Sequence, residues 1–69
     1  MRIKSIKDLA VMVKQKRQEL GITQSFAAEI CNVGTRFLSD LENGKPTMQI
    51  DKVLDVCNFF DIKIEAEYK

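Results

Sequence analysis

Two short helix-forming segments, "QSFAAEIC" (residues 24–31) and "TRFLSDLEN" (residues 35–43), are separated by only three residues. Thr23 precedes the first segment and is a candidate N-cap, because its hydroxyl can accept a hydrogen bond from a free backbone N–H group. Gly34 can open the second segment and Gly44 can close it, since glycine tolerates the left-handed conformation that ends many helices. A gap this short forces the two helices to cross steeply and to pack closely, which restricts the fold more than any other feature.

Packing at such a crossing requires a small residue in the first helix, a turn residue that tolerates positive φ, and inward apolar residues from both helices. Ala28 is the small residue, and the turn contains Asn32, the next best residue after glycine for this conformation. The inward apolar set is Ala27, Cys31, Val33, Leu38 and Leu41. The pattern over residues 24–43 therefore favours a helix-turn-helix, whose second helix lies in the major groove of DNA. A plain αα-hairpin without a DNA-binding role has the same spacing and stays open.

The flanking segments predict two further helices. The first, within "SIKDLAVMVKQKRQELG", would be capped by Ser5, with Asp8 in its first turn, and would end at Gly21. Pro46 cannot lie inside a helix, so we expect Thr47 to cap a fourth helix, "MQIDKVLDVCNFF". The residues expected on the apolar side of this helix or in the core near it are Met48, Ile50, Val53, Leu54, Cys57, Phe59 and Phe60.

The C-terminal residues 62–68, "IKIEAEY", alternate between apolar and charged side chains, which is the pattern of a half-buried β-strand. A lone strand leaves its backbone groups unpaired and its apolar face uncovered. It must therefore pair either with the N-terminal "MRIK" or with the same strand of a second chain, and we favour the second arrangement. The apolar side of this dimer strand comprises Ile62, Ile64, Ala66 and Tyr68.

Length and charge restrict the remaining possibilities. A chain of 69 residues forms one small domain, whose limited core also favours oligomerisation. Residues 1–45 carry eight basic and five acidic side chains, whereas residues 46–69 carry three and five. The positive charge therefore lies with the helix-turn-helix, which permits a basic DNA-binding face without requiring one.

The sequence argues against several other classes. It has no histidine, no glycine-rich phosphate loop and no nucleophile beside a base, so we expect no enzyme and no metal or cofactor site. Cys31 and Cys57 lie in apolar runs without a C-x-x-C motif, and we expect both to be reduced core residues of a cytoplasmic protein. The longest apolar run near the start, "LAVMV", is too short for a membrane span, and no signal peptide is predicted.

Read together, "KQKRQELGI", "TQ" and "RFLSDLENGKPT" resemble the phage-repressor-like (Cro/C1, Xre) helix-turn-helix family. The stretch "VGTRFLSDLENGKPT" is most similar to HipB-like antitoxins. The resemblance covers nearly the whole chain. It implies an all-α lambda-repressor-like domain of four to five helices over residues 1–69, with a short C-terminal strand that pairs across a dimer. It also implies a nucleoid-associated homodimer that represses its own toxin–antitoxin operon at a palindromic double-stranded DNA operator, with a HipA-type kinase toxin as partner.

The resemblance assigns roles to individual residues. The positions that would face the groove are Thr35, Arg36, Ser39 and Asp40, and those that would contact the DNA backbone or lie beside it are Gln24, Ser25, Asn43 and Lys45. Arg36 would suit a guanine edge, although a phosphate contact fits nearly as well. Asp40 could accept from a cytosine amino group, but a carboxylate near phosphates is unfavourable without a cationic neighbour. Arg17 and Glu42 match a structural ion pair between the first helix and the end of the third.

One departure from the family pattern leaves a second function open. Ala27 stands where the family commonly has leucine, so Phe26 either fills the space or stays exposed as a handle for a protein. The alternative function is a small helical adaptor whose main ligand is a partner protein, such as a toxin kinase, with secondary DNA contact. The apolar strand face and Phe37 would serve that role, although Phe37 could instead contact a thymine methyl group or pack into the dimer.

Overall fold

The computed structural model describes residues 3–66, which form four α-helices joined by short turns. The helices are α1 (Ile6–Glu19), α2 (Gln24–Cys31), α3 (Thr35–Glu42) and α4 (Ile50–Phe59). Over this range no residue is assigned to a strand. The predicted all-α fold is therefore confirmed, with α2 and α3 separated by the expected three residues.

Each of these four helices ends with one residue in the left-handed conformation just beyond its last turn. The four residues are Gly21 (φ 68°), Asn32 (φ 59°), Gly44 (φ 75°) and Asp61 (φ 57°). After α4, for example, the N–H of Asp61 donates to the carbonyl of Asn58 at 3.2 Å, and the N–H of Ile62 donates to that of Cys57 at 2.8 Å. This pair of bonds is the Schellman motif, which satisfies carbonyl groups left free at a helix C-terminus. The sequence predicted the turns at Gly21, Asn32 and Gly44 but not the one at Asp61, because aspartate adopts this conformation only occasionally.

The helix N-termini follow the sequence less closely. Thr23 caps α2 as predicted, and its Oγ accepts from the N–H of Phe26 at 3.1 Å. Ser5 occupies the N-cap position of α1, but its side chain makes no capping bond. Instead, Asp8 accepts a hydrogen bond from the backbone N–H of Lys4 at 2.8 Å. The acidic residue in the first turn therefore satisfies a backbone donor that lies before the helix.

The predicted start of α4 is wrong. Thr47 does not cap the helix, which begins at Ile50 with Gln49 as its N-cap. Met48 packs against the core from the preceding loop, as expected of a core residue. Met48 therefore belongs to the loop, and the helix begins only after it, at Ile50.

The apolar side of α4 is also shifted from the prediction. Ile50 and Leu54 are 65% and 41% exposed, whereas Val56, which was not expected inside, is fully buried. The buried stripe runs through Val53, Val56, Cys57 and Phe60, at the spacing of one helix face. Phe59, predicted to lie in the core, is 37% exposed, so that prediction is wrong. Its ring contacts the Phe60 ring edge-on at 4.8 Å between centroids.

One buried cluster joins the helices. Ala27 and Ala28 are almost completely buried in it, so α2 approaches its neighbours closely. Phe26 is 52% exposed, which shows that it does not fill the space of the missing leucine. The predicted inward set lies in this cluster or, for Val33, packs against it. The cluster comprises Leu9, Val13, Ala27, Ala28, Cys31, Leu38, Leu41, Val53, Val56, Cys57, Phe60 and Ile62.

The C-terminal segment leaves the helical core through Ile62. This side chain is buried, whereas Ile64 and Ala66 are exposed. No backbone hydrogen bond joins Ile3 or Lys4 to residues 62–66, so the described residues give no support to pairing with the N-terminal segment. Tyr68 and the rest of the predicted strand beyond residue 66 lie outside the described residues. Pairing of this segment with a second chain stays a prediction.

Candidate nucleic-acid interface

The outer face of α3 is the side opposite its buried Leu38 and Leu41. Its residues recur every three or four positions, and the distance from Arg36 to Asn43 is about 10 Å along the axis at 1.5 Å per residue. An α-helix is about 10–12 Å across with its side chains, so α3 can enter the major groove, which is about 12 Å wide. The outer face of α3 comprises Thr35, Arg36 and Asn43, which are exposed, and Ser39 and Asp40, which are half-buried.

A buried ion pair fixes the end of α3 to α1. The structure brings together the two residues expected to pair: Nε of Arg17 donates to Oε2 of Glu42 at 2.7 Å, and Nη2 donates to Oε1 at 3.0 Å. The Glu42 side chain is 2% exposed and that of Arg17 is 13% exposed. Nη1 of Arg17 also donates to the carbonyl of Ile22 at 2.9 Å, so this one side chain joins α1, the turn before α2 and the end of α3.

The charge state of this pair follows from its geometry. The hydrogen bond to Glu42 raises the pKa of Arg17 above its usual value and outweighs the opposing effect of burial. The guanidinium therefore stays charged, and it holds the carboxylate by two parallel bonds of the kind that also fix orientation. Both helices are thereby set at a defined angle to each other.

Gln24 belongs to the same network. It lies in the first turn of α2, and its Nε2 donates to Oε1 of Glu42 at 3.2 Å. With its amide nitrogen directed at the carboxylate, the amide oxygen and the α2 N-terminus are held beside the end of α3. Ser25 is the next residue and is exposed. The structure thus places Gln24, one of the expected backbone-contacting residues, next to the end of α3.

The turn after α3 contains the remaining expected residues. Asn43 is the exposed C-cap, and Lys45 lies two residues further on. Nζ of Lys45 is 3.6 Å from Oδ2 of Asp40. Asp40 thus has the cationic neighbour that a carboxylate near phosphates requires, a pairing that the sequence reasoning did not foresee.

Lys7 is a residue near the interface that sequence reasoning missed. A Cβ atom built on Gly44 would lie 3.2 Å from Cγ of Lys7, so the lysine stem packs over the turn that follows α3. Lys7 is exposed, and it adds a positive charge from α1 to the side of the domain that carries Lys45. In the sequence, Lys7 was notable only as one of the eight basic residues among residues 1–45.

Phe37 does not belong to the outer face of α3. It is half-buried and packs against the core cluster. On its other side, Nζ of Lys52 in α4 lies 5.9 Å from the centre of its ring, within the range of a cation–π contact. In this position Phe37 links α3 to Lys52 of α4.

The described residues offer little for other chemistry. Cys31 and Cys57 are free and buried, as predicted. Burial raises the pKa of both thiols, and for Cys31 the charge of Asp55 adds to the effect. Within residues 3–66 no group of three or more Cys, Asp or Glu side chains is arranged to hold a metal ion. The helices of the same range are all too short or too polar to cross a membrane.

Comparison with known proteins agrees with this geometry. The helix-turn-helix family HTH_3 matches residues 13–66, which include the second half of α1 and all of α2, α3 and α4. A similar protein is an uncharacterized HTH-type transcriptional regulator, y4mF, of Sinorhizobium fredii. It is 42% identical over 64 residues, which cover 93% of this chain and 84% of that protein.

Proposed function

The chain belongs to the Cro/C1-type helix-turn-helix family of DNA-binding regulators, and from this premise we propose that it is a sequence-specific transcriptional repressor. The observation that carries the proposal is the polar outer face of α3, a helix whose end is fixed to α1 by the buried Arg17–Glu42 pair. Recognition helices need this rigidity, because base contacts depend on placing side chains to a fraction of an ångström. The proposal is of a binding protein, and no catalytic step is part of it.

The proposed contacts divide into base-reading and backbone-positioning groups. Thr35, Arg36 and Ser39 face the base edges, and Arg36 reaches guanine O6 and N7. The backbone contacts that set the register come from Gln24, Ser25, Asn43 and Lys45.

We propose that the repressor is a homodimer that binds a palindromic operator. An open cavity of about 520 Å³ lies between α4 and the C-terminal segment, lined by Leu54, Asn58, Asp61, Ile62, Lys63, Ile64 and Glu65. Ile50 and Ile64 are exposed hydrophobic residues on the two elements that border it. A second copy would cover the exposed side chains of Ile50, Leu54 and Ile64. Its twofold axis would place two α3 helices in successive major grooves, about 34 Å apart.

The C-terminal segment suits antiparallel pairing with its own copy. If two segments pair about Ile64, Lys63 of each chain lies opposite Glu65 of the partner subunit, and Ile64 lies opposite itself. Opposite charges across a strand pair stabilise it by roughly 0.2–1 kcal/mol each. This self-complementarity supports the dimer strand proposed for Ile62, Ile64, Ala66 and Tyr68.

Light scattering on the full chain tests the dimer. Lys63→Glu places like charges opposite each other and is expected to raise the dimer dissociation constant, whereas Lys63→Glu/Glu65→Lys restores the pairing. If the single and the double variant dissociate equally, the pairing of these segments is not the interface. Charge reversal is preferable to truncation at Asp61, which would also remove Ile62 from the core.

The HipB-like resemblance supports a narrower role as the antitoxin of a HipA-type kinase toxin, acting at the nucleoid in the cytoplasm. A second candidate function, a protein-binding adaptor, is favoured by one observation: Phe26 and Ile30, four residues apart on α2, are 52% and 47% exposed. Phe26→Ser/Ile30→Ser is expected to abolish binding of a toxin expressed from the same operon if the adaptor role holds, while DNA binding stays unchanged. DNA binding that is lost without loss of helix content would instead assign this patch to the repressor function.

Selection from a pool of random duplexes at physiological salt tests the main proposal. We expect enrichment of a pseudo-palindrome whose half-sites are about one helical turn apart. Arg36→Ala should then weaken operator binding by roughly 1–3 kcal/mol and relax one base position. If no sequence is enriched and binding disappears with modest salt, the chain contacts only phosphates and the repressor proposal fails.

A further inference from the structure

The end of α3 differs from the ends of α2 and α4 in one respect. A Schellman motif brings together the side chains at two positions, one in the last turn and one directly after the left-handed residue, and this contact is usually apolar. It pairs Ala28 with Val33 after α2 and Cys57 with Ile62 after α4. After α3 the same two positions hold the opposite charges of Asp40 and Lys45.

Two contacts hold Lys45 in this place. Its backbone N–H donates to the backbone carbonyl of Asp40 at 3.1 Å, and its Nζ is 3.6 Å from the Asp40 carboxylate. The Lys45 side chain is 52% exposed and that of Asp40 is 30% exposed. A pair this open contributes little to folding, because solvent screens it. The pair therefore affects what Lys45 can bind more than it affects folding.

The position of the pair matters for DNA binding. Asp40 lies on the outer face of α3, while Lys45 lies in the turn beside it. A lysine that moves freely contacts a phosphate on any duplex, and such contacts provide most of non-specific affinity. A lysine held against Asp40 contacts a phosphate only where docking of the whole helix brings that phosphate to it.

We propose that Asp40 is a specificity-determining residue that acts through Lys45, an inference that rests on the proposed function. The carboxylate positions the lysine for the phosphate next to a fully docked α3 and keeps it from phosphates of loosely bound DNA. Asp40 thus suppresses binding to random sequence and does not read a base.

The test uses the full-length chain, with the selected operator and a scrambled duplex of equal length, over a range of salt concentrations. Asp40→Asn keeps the size of the side chain and removes its charge. We expect affinity for the scrambled duplex to rise about three- to fivefold, because an exposed pair restrains the lysine only weakly. The salt dependence should steepen by about one released ion, as one more lysine engages phosphate. Operator affinity should change by less than about threefold, so the specificity ratio falls.

Two controls separate this role from simple loss of negative charge. Glu29→Gln removes one acidic charge from an exposed residue of α2 that is in no ion pair among residues 3–66, and it should leave the specificity ratio unchanged. In a Lys45→Met background, Asp40→Asn should no longer raise affinity for the scrambled duplex. Helix content is followed by circular dichroism, and it should be preserved because removing an acidic charge near a helix C-terminus is favourable.

The outcomes distinguish the possible explanations. Weaker operator binding by Asp40→Asn, with unchanged binding to the scrambled duplex, means that Asp40 reads a base and overturns the inference. An equal rise with and without Lys45 also overturns it, because the charge then acts alone. A wild-type chain that prefers no sequence overturns both this inference and the repressor proposal, whereas retained preference with an unaltered Asp40→Asn ratio overturns this inference alone.

Discussion

Arg17→Met is the substitution whose effect follows most directly from the structure. It removes the guanidinium and keeps an unbranched side chain of similar length that suits a helix. Glu42 then retains only the bond from Gln24 at 3.2 Å and loses both bonds from Arg17. Since the Glu42 side chain is 2% exposed, water cannot replace them without opening the contact between α1 and α3.

The size of the effect can be estimated. Leaving one charge of a buried pair without its partner typically costs about 3–5 kcal/mol. A chain of 69 residues has a total free energy of unfolding of roughly 3–10 kcal/mol, at about 0.05–0.15 kcal/mol per residue. Arg17→Met should therefore remove a third or more of the stability. At about 4–8 °C per kcal/mol, the melting temperature should fall by at least about 12 °C.

Urea denaturation followed by circular dichroism measures this loss, with all variants at one protein concentration because a dimer's stability depends on it. The matched variant is Arg17→Met/Glu42→Met, which replaces both charges with apolar side chains. We expect it to recover a large part of the loss, although the carbonyl of Ile22 and the amide of Gln24 still lack partners at about 1 kcal/mol each. A loss below about 1 kcal/mol for Arg17→Met, or a double variant no more stable than the single one, would refute the reasoning.

Three further predictions concern the turns and the core. Gly44→Ala should destabilise the protein by about 1–2 kcal/mol in urea denaturation, which is more than the cost of Gly21→Ala. Both glycines have positive φ, but only a Cβ at Gly44 meets another side chain, that of Lys7 at 3.2 Å. Burial raises the pKa of Cys31 and Cys57, so the unfolded chain releases these protons first. The two thiols therefore cost no stability below the unfolded thiol pKa of about 8.5. The free energy of unfolding falls as the pH rises toward the pKa values of the folded state. Replacing both cysteines with alanine should make the free energy of unfolding depend less on pH above that value. Ala27→Leu, which introduces the leucine common in the family, should cost about 1–3 kcal/mol by overpacking a fully buried position, and an unchanged melting temperature would show unfilled space.

Local signals in the sequence predicted the helices and most of their ends. Gly21, Asn32 and Gly44 each tolerate positive φ, and each occupies the left-handed position after a helix. The start of α4 could not be predicted in this way. Thr47 is a good N-cap by its own chemistry, but Met48 packs against the core from the loop and α4 begins two residues later than a Thr47 cap would allow.

The face of α4 shows a similar limit. Five apolar residues of this helix fit one stripe in the sequence, yet Ile50 and Leu54 stay exposed and Val56 is buried. Periodicity identifies an amphipathic helix, but a rotation smaller than the roughly 100° between successive residues already exchanges the residues at the two edges of the buried stripe. Only the packing of neighbouring helices fixes that rotation. The exposed side chains of Ile50 and Leu54 lie on the side of α4 that is proposed to contact a second chain.

The charged residues at the interface could be predicted to different degrees for a physical reason. Arg17 and Glu42 are 25 residues apart, and only the resemblance to a known family connected them. Asp40 and Lys45 are close in sequence, but a helix surface gives no reason to pair residues five apart, since neighbours on a helix are three or four apart. The left-handed turn at Gly44 reverses the chain and brings Lys45 back beside Asp40. The same glycine that ends α3 therefore also decides which charge lies next to the outer face of this helix.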